Sequence, residues 1–213
     1  MHRPRIFVLA GVNGAGKSTV GGDLLHRAGV TWFNPDDYAR DLRAAFDCPQ
    51  AQANAEAWQE GMRRLEAAIA GGYDHAFETT LGGNSVPSRL RDATATHDVL
   101  MWFCGLDSPE HHMARVRLRV AGGGHDIPEA KIRERCVSSI ANLIGLLPRL
   151  ARLQVYDNSV DAAPGTPVPN PRLLLQMDAG RIARPVDLDT LRHAPDWAKP
   201  ILEAALVFAE RHR

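Results

Sequence analysis

An α/β fold built on a mainly parallel central sheet is what this sequence predicts, and three observations predict it. Short, continuously apolar runs recur along the chain. Stretches of helical periodicity separate them. A glycine-rich loop joins the first run to the first helix. Continuously apolar runs mark strands buried on both faces. Their alternation with helices implies right-handed crossovers and three layers. The length of 213 residues is enough for one sizeable core, so one domain over 1–213 is expected.

The elements follow in order. Residues 6–10 (Ile-Phe-Val-Leu-Ala) read as the first buried strand. Residues 18–28 read as a helix, with Val20, Leu24, Leu25 and Ala28 on one side and Gly29 as its stop. Residues 30–33 are expected to be a second strand and 37–46 a helix. Ala55, Trp58, Met62, Leu65 and Ile69 step by three and four, the clearest amphipathic helix in the chain, ended by Gly71 and Gly72. Residues 75–79 form a third strand, 86–96 a helix and 99–104 a fourth strand. Ser108-Pro109 is a helix start, with a hydroxyl cap and proline in the first turn.

That helix reaches about Val120. Gly122-Gly123-Gly124 breaks the chain, and Pro128 opens a helix carrying Ile132, Cys136, Ile140, Leu143 and Leu147 at helical spacing. Residues 153–156 give a fifth strand. The proline-rich stretch 161–171 is a loop. Residues 173–177 and 181–186, joined by Asp178-Ala179-Gly180, read as a hairpin. A helix over 197–211 closes the chain. The expected lid spans about 112–148, and the C-terminal hairpin and helix about 172–213.

Composition sets limits. Lys plus Arg and Asp plus Glu number 25 each, so the formal net charge is zero. That balance gives no general attraction to nucleic acid or to an anionic membrane. Cys48, Cys104 and Cys136 have no metal-binding spacing and suit a reducing compartment. No apolar run approaches the roughly 20 residues of a membrane span, and the run at 6–10 is too short for a signal segment. The expected location is the cytoplasm.

Four clusters carry chemistry. Gly11-Val12-Asn13-Gly14-Ala15-Gly16-Lys17-Ser18 matches G-x-x-x-x-G-K-[ST], between a buried strand and a helix. In such a P-loop the backbone N–H groups of Gly11, Asn13, Gly14, Ala15, Gly16 and the residues through Thr19 surround the phosphates. Lys17 reaches the β- and γ-phosphates, and Ser18 is the expected Mg²⁺ ligand. ATP or GTP and Mg²⁺ are therefore the expected cofactors. Asn34-Pro35-Asp36-Asp37 closes the second strand. Asp36 is the candidate base or positioner for an acceptor hydroxyl, while capping of the next helix by Asp36 or Asp37 stays open.

Phe77-Glu78-Thr79-Thr80-Leu81-Gly82-Gly83 places a carboxylate and two hydroxyls at the third strand's end. Glu78, Thr79, Thr80 and Gly83 are the candidate substrate-site residues, against the alternative of a self-satisfied turn. Asp107 reads as part of the helix start. Last, Arg115, Arg117 and Arg119 precede the triglycine, and Lys131, Arg133 and Arg135 follow it. This is the pattern of a lid whose arginines clamp phosphate. Arg115 and Arg119 share a face and Arg117 does not. His125 reads as a loop hydrogen-bonder.

This set of motifs resembles the zeta toxin family of P-loop kinases. The matching pieces are the Asn13-containing loop through Thr19, Asn34-Pro35-Asp36, Phe77-Glu78-Thr79-Thr80-Leu81, the stretch from Arg119 through Gly124-His125-Asp126-Ile127-Pro128, and Tyr156-Asp157-Asn158-Ser159. The resemblance implies a kinase acting on a nucleotide sugar, with UDP-N-acetylglucosamine phosphorylated at its 3′-hydroxyl. It makes Asp36 the base, Lys17 the phosphate ligand, Ser18 the Mg²⁺ ligand and Glu78 a substrate-site carboxylate. Arg119 and Arg135 stabilise the transferring phosphoryl, with Arg133 the competing position. Glu134, Cys136 and Ser138 stand where the family often has arginines or an aromatic. The resemblance also implies an antitoxin as a possible protein partner. Two alternatives accompany this reading. One is a polynucleotide 5′-hydroxyl kinase, which the zero net charge disfavours. The other is a nucleotide-binding module that acts through a partner without catalysis.

Overall fold

The computed structural model describes residues 3–27, 29–162, 165–166, 169–184 and 191–211. Among the described residues six strands form one sheet: β1 (Arg5–Ala10), β2 (His75–Thr79), β3 (Asp98–Gly105), β4 (Arg152–Asp157), β5 (Arg172–Asp178) and β6 (Arg181–Arg184). Their order is β2-β1-β3-β4-β5-β6. The first four are mutually parallel, β5 runs antiparallel to β4, and β6 runs antiparallel to β5. Among the described residues the α-helices are α1 (Lys17–Arg27), α2 (Pro35–Phe46), α3 (Gln50–Gly71), α4 (Ser85–Ala93), α5 (Pro109–Ala121), α6 (Glu129–Leu146) and α7 (Lys199–Glu210).

The core follows from the apolar runs. Ile6, Val8, Val99, Met101, Phe103, Leu153 and Val155 are buried on one face of the sheet against α3, α4, α6 and α7 residues. Phe7 and Leu9 point to the other face with Leu25 of α1. Trp102 stacks on Phe7 there, with ring centroids 6.2 Å apart. Such a double-sided core leaves the carboxyl ends of the parallel strands as the ligand-accepting edge. β2 and β3 lie on opposite sides of β1, so the crevice opens above the end of β1, where the glycine loop leaves.

Two expectations are corrected. No strand forms at 30–33; only Phe33 pairs, in a single parallel bridge to Phe77. Phe33 N–H donates to the Ala76 carbonyl at 2.8 Å, and Glu78 N–H to the Phe33 carbonyl at 2.9 Å. The chain turns off immediately afterwards, because Pro35 has no N–H to continue a ladder. Asn34 instead caps α2, its Oδ1 accepting from the N–H groups of Asp36 and Asp37. Neither aspartate is the cap, so both carboxylates stay in the first helical turn.

The second correction concerns α3. Its buried residues are Ala53, Ala57, Leu65 and Ala68, rather than a stripe running through Ala55 and Trp58. In its first half α3 packs on α2 through Ala53 and Ala57 against Ala39. Small side chains let two helices approach closely, so the alanines take the interface and Trp58 is displaced from it. Trp58 is 53% exposed.

Elsewhere the expected elements appear within a few residues. Ser108 Oγ caps α5 by accepting from His111 N–H at 3.2 Å. The hairpin turn puts Ala179 and Gly180 at positive φ, 47° and 80°, the geometry of a two-residue hairpin loop. β6 extends the sheet beyond β5. Ala28, the Leu24 side chain and the hairpin end at Pro185 and Val186 lie outside the described residues. No helix among the described residues is long and apolar enough to cross a membrane.

Candidate active site

The glycine loop fits its position only as glycine. Gly11 has φ +137°, and a Cβ there would meet the Cys104 carbonyl oxygen at 2.2 Å. Gly16 has φ +79°, and its Cβ would meet Asn158 Nδ2 at 2.4 Å. Both approaches are close because β3 and the end of β4 hold the loop from below. Asn158 Nδ2 donates to the Ala15 carbonyl at 2.9 Å, and its backbone N–H to the Gly105 carbonyl at 3.0 Å. The loop is thereby tied to the strand end, and within it Ala15 N–H donates to the Val12 carbonyl at 3.1 Å.

Glu78 is the hub beside it. The carboxylate is buried and holds three partners. Lys17 Nζ lies 3.5 Å from Oε1. Ser18 Oγ donates to Oε2 at 2.9 Å, and Asn34 Nδ2 donates to the same oxygen at 3.3 Å. A buried carboxylate needs this satisfaction. The arrangement draws on three clusters at the β1 and β2 ends, with Lys17 and Ser18 from the glycine loop, Asn34 from the stretch before α2 and Glu78 from β2.

Asp36 faces them from the first turn of α2. Its Oδ2 accepts from Arg119 Nη1 at 3.2 Å, and its Oδ1 lies 4.0 Å from His125 Nε2. Asn13, Lys17, Asp36, Glu78, Thr79, Thr80, His125 and Arg135 all line one cleft of about 310 Å³. Arg135 Nη1 donates to Asn13 Oδ1 at 2.7 Å. Burial lowers its pKa while Asp36 and Glu134 oppose that effect, and a guanidinium keeps its charge regardless. Arg133 instead pairs with Glu110 at 2.8 Å, away from the cleft. Arg117 pairs with Glu129, and Arg115 holds Asp161 and the Asn158 carbonyl. Between the two open positions, the cleft therefore takes Arg135.

The turn after β2 satisfies itself and still borders the cleft. Thr79 Oγ1 accepts from Leu81 N–H at 3.0 Å and Thr80 Oγ1 from Gly82 N–H at 3.4 Å. These bonds hold Leu81 at a φ of 56°. Each hydroxyl proton remains free to donate. Gly83 is not among the cleft residues; its carbonyl accepts from Asn142 at 3.1 Å. Ser138 and Asn142 of α6 anchor Gly82 and Leu81 in the same way. Asp107 lies with Ser108 and His111 at the start of α5, as the sequence suggested.

Sequence reasoning missed two features. Trp58 and Met62 of α3 form part of the cleft wall. The periodicity that marks them as core residues gives no hint of it. His112, under the loop, was also missed. Its Nδ1 lies 2.9 Å from the Asn13 carbonyl, which can only accept, so that nitrogen carries the proton. Burial pushes its pKa down to about 4; Lys17, His111 and Arg115 push the same way, and the Asn13 bond opposes them.

A group charged less readily in the folded than in the unfolded chain weakens folding as pH falls between its two pKa values. From its ordinary 6.5 to about 4, the His112 contribution is complete at neutral pH and lost on acidification. The expected loss at pH 5 is about 2 kcal/mol. Denaturant unfolding at pH 7.5 and pH 5 measures it. A His112→Gln variant should lose correspondingly less stability between those two pH values, and equal losses in both proteins would refute the assignment.

No protein-family profile matches the chain. An uncharacterized protein of Haemophilus influenzae is 28% identical over 138 residues, covering 63% of this chain and 94% of that protein. Among solved structures, the AvrRxo1-ORF1:-ORF2 complex with ATP is similar at a TM-score of 0.64 and 14% identity, over 95% of this chain and 64% of that one. The PezAT chromosomal toxin–antitoxin system of Streptococcus pneumoniae gives a TM-score of 0.59 and 13% identity, over 99% and 88%. At such identities the likeness is one of fold. The chain has the α/β P-loop fold with a mainly parallel central sheet.

Proposed function

We propose that the chain is an ATP- and Mg²⁺-dependent small-molecule kinase of the zeta toxin type. It transfers the γ-phosphoryl to a hydroxyl of a nucleotide sugar, UDP-N-acetylglucosamine being the first candidate. One observation carries this reading: Asp36 lines the same cleft as Lys17, Glu78 and Arg135, so a base faces a phosphate site across a space open to an acceptor. The motif resemblance and the fold shared with the PezAT and AvrRxo1 structures support it.

The reaction follows from the residues. The loop N–H groups and Lys17 hold the β- and γ-phosphates at the start of α1. Ser18 Oγ and the Glu78 carboxylate, 2.9 Å apart, are hard oxygen groups of the kind Mg²⁺ takes. Ser18 would hold the ion, with Glu78 fixing that hydroxyl. When bound, the ion neutralises charge on the phosphate oxygens. Arg119 holds Asp36 Oδ2 and leaves Oδ1 for the acceptor hydroxyl. As the acceptor oxygen bonds to γ-phosphorus, the bond to the β–γ bridging oxygen breaks. The hydroxyl proton passes to Asp36 and the nucleoside diphosphate leaves. Arg135 and Arg119 supply positive charge beside the transferring group. An antitoxin-like protein is the proposed partner, by analogy with the complexes that share the fold.

Incubation of the purified protein with labelled ATP, Mg²⁺ and a panel of nucleotide sugars tests the reading. The expected product is a phosphorylated UDP-sugar by mass spectrometry, absent without Mg²⁺. ATP binding with no phosphorylated acceptor across the panel would overturn it.

A further inference from the structure

Resting on the kinase reading above, we infer that Trp58 is the platform on which the planar base of a nucleotide acceptor stacks. An isolated exposed aromatic needs no explanation, but Trp58 is not isolated. Asn54, Trp58, Met62 and Leu65 fall at positions i, i+4, i+8 and i+11 of α3, which is one helix face, and all four line the cleft. Along that face the wall grades from Leu65, 1% exposed beside the strand ends, to Trp58, 53% exposed at the mouth.

Seven residues of helix separate those two, about 10 Å. That span is longer than a lone monosaccharide and leaves room for a base joined to the sugar through phosphates. Polar groups sit where such a molecule needs them. Asp36 faces the hydroxyl end. Lys131 lines the same cleft and bears a charge suited to a diphosphate, although it also pairs with Glu134 at 2.9 Å. Asn54 Oδ1 accepts from Gln50 at 2.8 Å, which leaves its amide N–H groups to donate to a base carbonyl. Stacking on a tryptophan is available to every base, since each has a π-face.

The test uses the full chain with its donor site filled by a non-hydrolysable ATP analogue, so that a second nucleotide enters only the acceptor end. Uridine diphosphate is titrated calorimetrically into wild type, Trp58→Ala and Trp58→Phe. The expected result is an affinity loss of about tenfold to a hundredfold for Trp58→Ala, with Trp58→Phe close to wild type. Ribose 5-phosphate, which lacks a base, should distinguish none of the three. In turnover, Trp58→Ala should raise KM for the acceptor and leave KM for ATP and kcat near wild type. Equal affinity of wild type and Trp58→Ala for uridine diphosphate overturns the inference, as does no binding to wild type. The calorimetric result needs no phosphoryl transfer. An inactive protein whose uridine diphosphate binding still depends on Trp58 would therefore sink the kinase reading and leave Trp58 as the platform for a nucleotide base.

Discussion

Replacing Asp36 with Asn should cut kcat by about 10²–10⁴-fold, the range that general bases contribute, while ATP affinity and the folded state stay intact. The geometry explains why these quantities separate. Asp36 is in the first turn of α2, about two-fifths exposed, and its carboxylate accepts from Arg119 at 3.2 Å. An asparagine keeps a carbonyl oxygen for Arg119 and a short polar side chain at the helix start. It cannot take a proton from an attacking hydroxyl. The partners of the Asp36 carboxylate, Arg119 and His125, both lie outside the P-loop, so donor binding should be unaffected. Steady-state kinetics alongside calorimetric ATP binding measure both terms. Full turnover by Asp36→Asn would remove Asp36 as the base and leave the His125 imidazole, 4.0 Å away, as the next group to examine.

The second large effect belongs to Lys17. Lys17→Met should abolish phosphoryl transfer, because no other group in the loop carries positive charge to the β- and γ-phosphates. It should also destabilise the protein, which a purely catalytic residue would not do. Lys17 and Glu78 are both about nine-tenths buried, with Nζ 3.5 Å from the carboxylate. Removing the cation leaves Glu78 with the Ser18 and Asn34 hydrogen bonds. Breaking one side of a buried ion pair typically costs ~3 kcal/mol or somewhat more. The double variant Lys17→Met/Glu78→Gln should recover most of that stability and none of the activity, since the neutral amide needs no counter-charge. Urea denaturation of wild type, the single variant and the double variant decides this. A single variant as stable as wild type would mean that the pair is not coupled in the folded protein.

Local pattern accounts for much of what is legible in the chain's order of residues. The glycine loop needs only a strand before it and a helix after it, and both are encoded within about ten residues on either side. Ser108-Pro109 and Pro128 announce their helices because capping and φ restriction act on adjacent backbone groups. The hairpin turn at Ala179-Gly180 is set by the conformational freedom of one glycine and its neighbour. Even the Asn34-Pro35-Asp36 stretch is readable as the approach to a helix, although the cap is the asparagine and neither aspartate.

Long-range packing settles matters of another kind. Asn13 and Arg135 meet across 122 positions of sequence, and that meeting, not any local signal, separates Arg135 from Arg133. Asn158 acquires a role only through its amide, which lies under the Ala15 carbonyl. Phe33 reads as the end of a strand because its neighbours are apolar, yet the edge of β2 accepts only one residue of it before Pro35 turns the chain. Trp58 reads as core because it sits at helical spacing from Leu65. Periodicity reports which residues share a helix face and is silent on what that face meets. The alanines at 53 and 57 bring α2 close on the adjoining side, and that packing turns the tryptophan into the cleft. The order of residues thus suffices for the elements and the phosphate loop, whose causes are local. Which side chains converge on one cleft depends on the assembled layers, because those contacts exist only once distant segments have packed together.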